Sequence, residues 1–346
     1  MSNPIPAARQ RVLSGMRPTG KIHLGNYMGA LHNWVRLQDQ PGYECYFFIA
    51  DLHALTTDYA DPSGIAPNSR EVALDFLGAG LDPEHSTIFI QSKVKQHYEL
   101  PLFLGMITPL GWLERVPSYK EMQENLANKD LSNFGFLGYP VLMASDILLY
   151  QADFVPVGQD QAAHVELTRE IARRFNQFYK GPGSTEILPE PQVLLTPSPK
   201  LPGTDGRKMS KSYGNAILLS DPESEVRKKL KTMVTDPARV RRTDPGNPDK
   251  CPVGDLHKIF SSPETLAKVY DGCTTAGIGC IECKSWLADA VVAHLAPIQE
   301  RRARFEQKPA LVTEILADGA RRATARAEQT MEQVRAAMGL AGVGPQ

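Results

Sequence analysis

The chain has 346 residues, an apolar fraction of 42% and a formal net charge of −1. That length suits one large domain and a smaller one, and the composition is that of an ordinary globular protein. Its apolar runs are shorter than the ~18 residues of a membrane helix, and the N-terminus lacks a charged-then-apolar leader. We therefore expect a cytoplasmic protein without a membrane span.

Short apolar runs alternate with amphipathic helices in the first part of the chain. Strand patterns occur in RVLSG from Arg11, YECYFFIADLHAL from Tyr43 and STIFIQSK from Ser86, and helical patterns cover about 26–38 and 69–81. Strands that alternate with helices at roughly 30-residue spacing predict a parallel sheet wrapped by helices. The unbroken run CYFFIA is typical of a strand buried on both faces.

The pattern becomes helical between about residues 96 and 150, where the polar segment SYKEMQENLANKDLSNF separates two apolar stretches. We expect this part to be a helical insertion into the sheet domain. Sheet character returns in ADFVPV, a helix follows in HVELTREIARRFNQF, and VLLT at 193–196 is the last predicted strand.

Strand patterns fade after about Ala216, and the remaining segments have helical periodicity. The sequence therefore predicts an α/β protein with two domains. Residues 1–215 form a doubly wound, Rossmann-like parallel sheet domain that contains the insertion, and residues 216–346 form an all-α domain. Residues 201–346 carry 22 lysines and arginines against 18 acidic residues, so the second domain is the expected polyanion binder.

The segment RPTGKIHLGNYMGAL at 17–31 joins the first strand to the first helix, where doubly wound sheets bind nucleotides. Gly20 and Gly25 permit a tight turn, and His23 and Asn26 lie at a helix start whose free N–H groups attract phosphate. Neither GxGxxG nor GxxxxGK[ST] is present, so dinucleotide and Walker-type interpretations lose support. A histidine in such a turn can also be a purely local hydrogen-bonding residue.

The segment GTDGRKMSKSYGN at 203–215 places three cations, Arg207, Lys208 and Lys211, on a loop bracketed by glycines. Nucleotidyl transfer needs positive charge where negative charge develops, and closure of a loop that excludes water strengthens this effect. The alternative is a solvated basic loop.

KMSKS at 208–212 and HLGN at 23–26 resemble, in the expected order, the two signatures of class I aminoacyl-tRNA synthetases. The resemblance implies activation of an amino acid by ATP to an aminoacyl-adenylate, followed by transfer to the 2′-hydroxyl of a tRNA. Mg²⁺ is expected with the ATP, because charge builds on the leaving pyrophosphate.

The same resemblance assigns residues to this chemistry. The implied catalytic residues are His23, Asn26, Lys208, Lys211 and, from the insertion, Lys120. The implied ATP-binding residues are Arg17, Thr19, Gly25, Asn26, Gly158, Gln159, Asp160, Lys208, Met209, Ser210, Lys211 and Ser212. Arg17 departs from the glutamine that relatives often carry at this place.

GYPVLMASDILLY and ADFVPVGQDQAAHVELTRE resemble the amino-acid pocket of bacterial tryptophanyl-tRNA synthetases. An indole offers only an N–H donor, so an ionised Asp146 is a matching acceptor that smaller apolar amino acids would leave unpaired. The resemblance implies that Tyr139 and Gln161 hold the substrate α-amino group and that Met143 and His53 line the ring. Asp146 could instead be a surface carboxylate, but its place inside an apolar run favours burial.

Three other classes of protein compete with this interpretation. Tyrosyl-tRNA synthetases share the architecture, but a phenol both donates and accepts and so tolerates more partners. The segments PVLMASDIL and VPVGQDQ favour tryptophan as the substrate. We therefore expect a tryptophan–tRNA ligase that charges tRNA(Trp). The resemblance also implies a homodimer. The second class is an adenylating or regulatory paralogue without tRNA charging, and the third is a metal-dependent electron carrier.

Four cysteines, Cys251, Cys273, Cys280 and Cys283, are spaced C-x21-C-x6-C-x2-C. Clustered thiols in a reducing compartment favour a metal or redox role over a disulfide, and four thiolates can hold either Zn²⁺ or a four-iron cluster. A subset of bacterial tryptophanyl-tRNA synthetases has a similar spacing and a [4Fe–4S] cluster in the helical domain, which favours iron–sulfur. Four buried, unligated cysteines are the alternative, and Cys45 is expected to be a core residue.

Overall fold

The computed structural model describes residues 9–116, 133–158, 161–181, 183–195 and 201–340. Its centre is a five-stranded sheet in which all pairs of neighbouring strands are parallel. The strands are β1 (Gln10–Met16), β2 (Tyr43–Ile49), β3 (Ser86–Ile90), β4 (Phe154–Val157) and β5 (Gln192–Leu195). The predicted strands are therefore all present.

The strand order is β3-β2-β1-β4-β5. The chain builds outward from β1 to β3, then crosses back to the other side of β1 to begin β4. In such a doubly wound sheet a crevice opens at the carboxyl ends of the strands where the direction of building reverses, here between β1 and β4. The predicted Rossmann-like fold is confirmed.

The predicted second strand is too long. Strand β2 ends at Ile49, and the residues ADLHAL, expected to continue it, turn into the helix Asp51–Asp58. The Asp51 carboxylate explains the change, because it lies in the first helical turn and its Oδ1 accepts the backbone N–H of Ser92 at 2.9 Å. The apolar content of this segment predicted a strand, but in the structure the segment is helical and Asp51 contacts Ser92.

Helices flank both faces of the sheet. The first, α1, runs continuously through Leu24–Asn26, a π-helical turn at Tyr27–Leu31, and His32–Gln38, so it begins two residues earlier than expected. The others before β5 are α2 (Asp51–Asp58), α3 (Ile65–Ala79), α4 (Gln96–Ile107), α5 (Leu110–Leu113), α6 (Phe134–Leu137), α7 (Tyr139–Leu149) and α8 (Ala162–Tyr179). Helices α4 to α7 confirm the helical character of the insertion within its described part.

The C-terminal part is helical, as predicted. Its helices are α9 (Glu223–Thr232), α10 (Pro252–Phe260), α11 (Pro263–Thr274), α12 (Cys280–Glu306) and α13 (Pro309–Ala337). One buried apolar cluster contains both sheet residues such as Phe47 and helical residues such as Val291 of α12. The core is thus continuous across position 215, and the division into two domains at that position stays a prediction.

Two glycines allow the long C-terminal helices to approach the sheet domain closely. A Cβ atom on Gly78 of α3 would lie 2.8 Å from Cβ of Arg302 in α12. A Cβ atom on Gly319 of α13 would lie within 1.8 Å of the carbonyl oxygen of Ile88, in the edge strand β3. Helix α13 therefore covers a sheet edge that would otherwise be exposed.

Within the described ranges, every helix is too short or too polar to cross a lipid bilayer.

Candidate active site and cysteine cluster

His23 caps the start of α1 with its ring. The backbone N–H of Asn26 donates to Nδ1 of His23 at 3.2 Å, and a Cβ atom on Gly25 would lie only 2.9 Å from that nitrogen. Burial, together with the charges of Lys211 and Lys208, lowers the pKa of His23 to about 4. The imidazole is therefore neutral at pH 7, and because Nδ1 accepts, the proton lies on Nε2.

The two signature segments are joined by a short antiparallel bridge. The N–H of Leu24 donates to the carbonyl oxygen of Ile217 at 2.8 Å, and the N–H of Leu219 donates to that of Ile22 at 2.9 Å. This pairing brings the end of the 203–215 loop against the start of α1. Segments some 185 residues apart in sequence are thus adjacent in space, as the resemblance implied.

Lys211 closes the 203–215 loop onto the first signature. Its Nζ donates to Oγ1 of Thr19 at 3.1 Å and to the carbonyl oxygens of Gly20 at 3.2 Å and Lys21 at 3.1 Å. All three acceptors are uncharged, and burial lowers the pKa of the ammonium group. The ammonium group is placed beside the turn that precedes His23.

Asn215, which the sequence analysis did not single out, organises this loop. Its buried side chain accepts the N–H of Ser210 at 2.8 Å and donates to the Asp205 carboxylate at 2.6 Å and the Lys208 carbonyl oxygen at 3.2 Å. A Cβ atom on Gly203 would lie 2.3 Å from it. The loop is therefore built around one amide and is not simply a solvated basic segment.

The other loop residues differ in exposure. Lys208 and Ser212 are exposed, whereas the side chain of Met209 is buried in the apolar core and anchors the loop there. The guanidinium group of Arg207 stacks over the ring of Tyr213 at 4.2 Å and pairs with Asp205. Arg207 is thus already engaged by neighbours, and Lys208 is the more accessible cation.

A cavity of about 380 Å³ lies at the carboxyl ends of β1 and β4, against α7. All five residues predicted to bind tryptophan line it, together with Arg17: His53, Tyr139, Met143, Asp146 and Gln161. A larger apolar groove of about 1250 Å³ between α3 and α13 contains none of the predicted site residues. The smaller cavity is the candidate substrate pocket because polar groups converge on it at the switch point of the sheet.

Asp146 is buried, with 2% of its surface exposed, so it is not a surface carboxylate. Its Oδ1 accepts from Nε2 of Gln91 at 2.7 Å and from Nδ1 of His97 at 2.6 Å, and its Oδ2 accepts from Nε2 of His53 at 2.7 Å. Burial opposes ionisation, but the hydrogen bonds from the two histidines outweigh it and lower the pKa of Asp146. The carboxylate is therefore charged.

Gln91, His97 and Tyr150 were missed by the sequence analysis. The Tyr150 hydroxyl lies 2.9 Å from Nε2 of His97, and both side chains are fully buried. Burial, followed by the charge of Asp146, raises the pKa of Tyr150, so its protonated hydroxyl donates to His97, which in turn donates to Asp146. Gln91 comes directly after β3 and His97 lies in the first turn of α4, so a polar residue at that strand end was the available signal for Gln91.

Arg17 lies at the rim between the pocket and the first signature. Its Nη2 donates to Oγ1 of Thr57 at 2.5 Å, while its buried Nε has no hydrogen-bond partner among the described residues. Burial lowers the pKa of the guanidinium group, and Asp58 and Tyr139 act in the opposite direction. An unsatisfied buried donor in a cavity wall is suited to an anionic ligand.

The remaining predicted residues divide into two groups. Gly158 follows β4 and lies at the switch point. Lys120, Gln159 and Asp160 lie outside the described residues.

The four predicted cysteine ligands line one small cavity of about 20 Å³, with Arg239 beside them. Cys251 immediately precedes α10, Cys273 lies in the last turn of α11, and Cys280 and Cys283 lie in the first turn of α12. Burial and then the neighbouring thiols raise the pKa of Cys283 to about 12. Cys45 is a buried core residue of β2, as expected.

A bound metal ion is not shown at these thiols. Over the described part of the chain, no group of three or more His, Cys, Asp or Glu side chains could hold one. Nη1 of Arg239 lies 3.8 Å from Sγ of Cys273, and Nε2 of His257 lies 3.4 Å from Sγ of Cys283. The cysteines therefore converge, but the predicted metal site is not shown.

Comparison with known proteins identifies the family. The model of the tRNA synthetases class I (W and Y) matches residues 6–296. The chain is 53% identical to the tryptophan–tRNA ligase of Thermotoga maritima (95% of this chain and 99% of that protein) and 47% identical to that of Ralstonia nicotianae (96% and 98%). The crystal structure of tryptophanyl-tRNA synthetase from Campylobacter jejuni complexed with ADP and tryptophan superposes with a TM-score of 0.85 at 35% identity, covering 96% of this chain and 100% of that one. The chain therefore belongs to the class I tRNA synthetases of the tryptophan and tyrosine family.

Proposed function

We propose that the chain is a tryptophan–tRNA ligase, which activates L-tryptophan with ATP and transfers it to the 2′-hydroxyl of tRNA(Trp). The observation that carries the proposal is the buried, ionised Asp146 in a largely apolar pocket beside the two signature segments. The two histidine donors hold the carboxylate charged, and together with Gln91 they fix its orientation. The relatives named above, which carry this activity in their names, support the same substrate.

Tryptophan fits the acceptor geometry of the pocket. Oδ2 of Asp146, with one described donor, retains a lone pair for the indole N–H, while Oδ1 already accepts from two donors. In this proposal Met143 and His53 line the ring, and Tyr139 and Gln161 hold the α-amino group at the pocket mouth. A phenol could also donate its O–H to this carboxylate, so the choice of tryptophan over tyrosine, the alternative substrate, is supported by the relatives named above.

In this proposal ATP lies along the first signature and the 203–215 loop. The Nε2–H of neutral His23 and the side chain of Asn26 contact the phosphates from one side, and Lys208 and Lys211 contact them from the other. Thr19, Gly25, Met209, Ser210 and Ser212 border the same space. Arg17 supplies the Nε–H that lacks a partner among the described residues. Gly158, Gln159 and Asp160 are proposed to hold the ribose. Lys120 adds a phosphate contact from the insertion.

The chemistry is an in-line attack by the tryptophan carboxylate on the α-phosphate, with pyrophosphate as the leaving group. Mg²⁺, bound with the ATP, neutralises charge on the phosphates. The lysines stabilise the charge that develops on the leaving group, and the loop keeps water away from the adenylate. The cytoplasm, which holds ATP and tRNA, is the expected compartment.

Amino-acid-dependent ATP–pyrophosphate exchange with all twenty amino acids tests this function. We expect exchange with tryptophan alone, and a loss of about 100-fold in kcat for Lys211→Ala. Lys228→Ala, which removes an exposed lysine of α9, is the matched control and should exchange normally. Exchange with tyrosine and not tryptophan would overturn the substrate.

The helical part, 216–346, is the proposed anticodon-binding domain. A surface cavity of about 780 Å³ there has Arg241, Arg242 and Trp286 in its lining. Guanidinium groups and an aromatic ring are the groups that bind unpaired RNA, through phosphates and base stacking. Trp286→Ala should weaken binding of tRNA(Trp) in a filter assay while leaving pyrophosphate exchange intact, and unchanged binding would refute this assignment.

We also propose that Cys251, Cys273, Cys280 and Cys283 hold a [4Fe–4S] cluster, with Zn²⁺ as the alternative. Their convergence on one cavity and the buried guanidinium of Arg239, whose charge offsets that of thiolates, support it. Such a cluster would fasten the ends of α10, α11 and α12 together. Protein purified anaerobically should contain iron and sulfide, and Cys283→Ser should lose them whereas Cys45→Ser should not. Zinc without iron would refute the cluster, and absence of both metals would support unligated thiols.

A homodimer is proposed with the insertion as its interface. Large apolar side chains are exposed there, with Leu102 60%, Met106 68% and Leu110 65% accessible. Leu102 and Met106 lie one turn apart on α4, so they share a face. Light scattering should give twice the chain mass. Met106→Glu should reduce this mass, whereas Val240→Glu, at a more exposed site elsewhere (83%), should not. A monomeric unmodified protein would refute the proposal.

A further inference from the structure

Asp75 of α3 connects the first signature to the C-terminal helix α12. The carboxylate is completely buried, its Oδ2 accepts the backbone N–H of Ile22 at 2.7 Å, and its Oδ1 accepts from Nη1 of Arg302 at 2.6 Å. Ile22 immediately precedes His23. A side chain of α3 therefore fixes the backbone at the proposed phosphate-binding histidine, and a side chain of α12 fixes that carboxylate in turn.

Arg302 is held as firmly as Asp75. Only 4% of it is exposed, and it also donates to the carboxylate of Glu71 through Nη2 at 2.5 Å and to the Glu71 carbonyl oxygen through Nη1 at 3.2 Å. The close approach of α12 to α3 requires Gly78, where a Cβ atom would lie 2.8 Å from that of Arg302. Charge-assisted contacts with two carboxylates, those of Asp75 and Glu71, hold the guanidinium group in one position.

The charge of Asp75 also acts on Lys211. Burial lowers the pKa of the Lys211 ammonium group, and the negative charge of Asp75 raises it. The three oxygens that Lys211 contacts carry no formal charge, whereas the Asp75 carboxylate does. One carboxylate thus bears on both signature segments without lining the substrate pocket.

We propose that Asp75 and Arg302 are positioning residues for adenylate formation: they fix the backbone before His23, and the Asp75 carboxylate places a negative charge that acts on Lys211 of the closed loop. The inference rests on the proposed roles of His23 and Lys211 toward ATP. Neither member of the pair touches a substrate.

Four variants test the pair by tryptophan-dependent pyrophosphate exchange and thermal unfolding. We expect Asp75→Asn to lower kcat by roughly 10- to 100-fold, since small misplacements of catalytic groups cost that much, with KM for tryptophan changed by less than about twofold. Arg302→Lys, which keeps the charge, should retain part of the activity. Arg301→Gln is the matched control, because Arg301 also fastens α12 to α3, through Nε to the Gly78 carbonyl oxygen, but does not contact Asp75.

The fourth variant separates positioning from folding. Asp75→Asn together with Arg302→Met removes both buried charges, and replacing both members of such a pair often restores stability lost by removing one. We expect the melting temperature of this variant to recover toward the unmodified value while kcat stays low. Recovery of kcat along with stability, or an equal loss of kcat in Arg301→Gln, would overturn the proposal. Normal exchange by Lys211→Ala would instead refute the proposed role of that lysine, and this inference would fall with it.

Discussion

Replacing Asp146 by asparagine removes one negative charge and turns one acceptor oxygen into an NH2 donor. In the structure both oxygens of Asp146 face donors, from Gln91 and His97 on one side and from His53 on the other. Either orientation of the amide therefore places a donor against a donor. If the NH2 group takes the place of Oδ2, it also faces the indole N–H of the proposed substrate.

The size of the effect follows from these contacts. A hydrogen bond to a charged group contributes about 1.5–3 kcal/mol, and tenfold in rate corresponds to about 1.4 kcal/mol. Loss of the indole contact thus predicts a decrease in kcat/KM for tryptophan of about 100-fold. Breaking up the buried network should also lower the free energy of unfolding by about 3 kcal/mol.

Pyrophosphate exchange at varied tryptophan and varied ATP is the assay. KM for ATP serves as the internal reference and should stay within about twofold, because Asp146 is proposed to contact only the amino acid. The matched control is Asp153→Asn, in which the carboxylate that accepts the N–H of Arg11 at 2.7 Å lies before β4, at the opposite end of the sheet. A normal kcat/KM for tryptophan in folded Asp146→Asn would refute the reasoning.

Three further predictions concern packing, the loop and pH. Gly319→Ala should lower the free energy of unfolding by at least about 1–3 kcal/mol, measured in urea, because its Cβ atom would overlap the Ile88 carbonyl oxygen. Gly203→Ala should lower kcat for pyrophosphate exchange by about tenfold or more with a smaller change in melting temperature, because the new Cβ atom would displace the Asn215 amide that shapes the loop. Between about pH 4 and pH 6.5 His23 should contribute up to about 3 kcal/mol of stability that increases with pH, because its pKa of about 4 in the folded protein lies below that of the unfolded chain, so that the unfolded state binds the extra proton. Burial raises the pKa of Asp75 to about 6, so this carboxylate contributes with the opposite sign over the same range, and the His23 contribution is the difference from His23→Asn.

Each of these has a contradicting result. Unchanged urea unfolding for Gly319→Ala would mean that α13 is not packed directly on β3. Exchange by Gly203→Ala at the full rate would mean that the loop is not organised by Asn215. The pH effect is assigned by comparison with His23→Asn, in which the rise between pH 4 and pH 6.5 should be smaller; an identical rise would assign it to other groups.

Local sequence patterns determined the strands, most helices and the two signature segments. Periods of two and 3.6 residues follow from which side of an element faces the core, so they are visible over a few turns of chain. The two signatures were also visible in the sequence, because a tight turn and a phosphate site need glycines, a histidine and lysines within a few positions of each other. The exception was the end of β2, where Asp51 began a helix inside an apolar run.

The environment of the site came only from the tertiary structure. Gln91 and His97 reach Asp146 from 55 and 49 residues away, and Arg302 reaches Asp75 from 227 residues away. No local period encodes such contacts, since they depend on strand order and on where helices cross. The sequence could thus name Asp146 as an indole acceptor, but only the fold placed the two histidines that keep it ionised, the Gln91 amide that orients it and the buried pair that connects α12 to the backbone before His23.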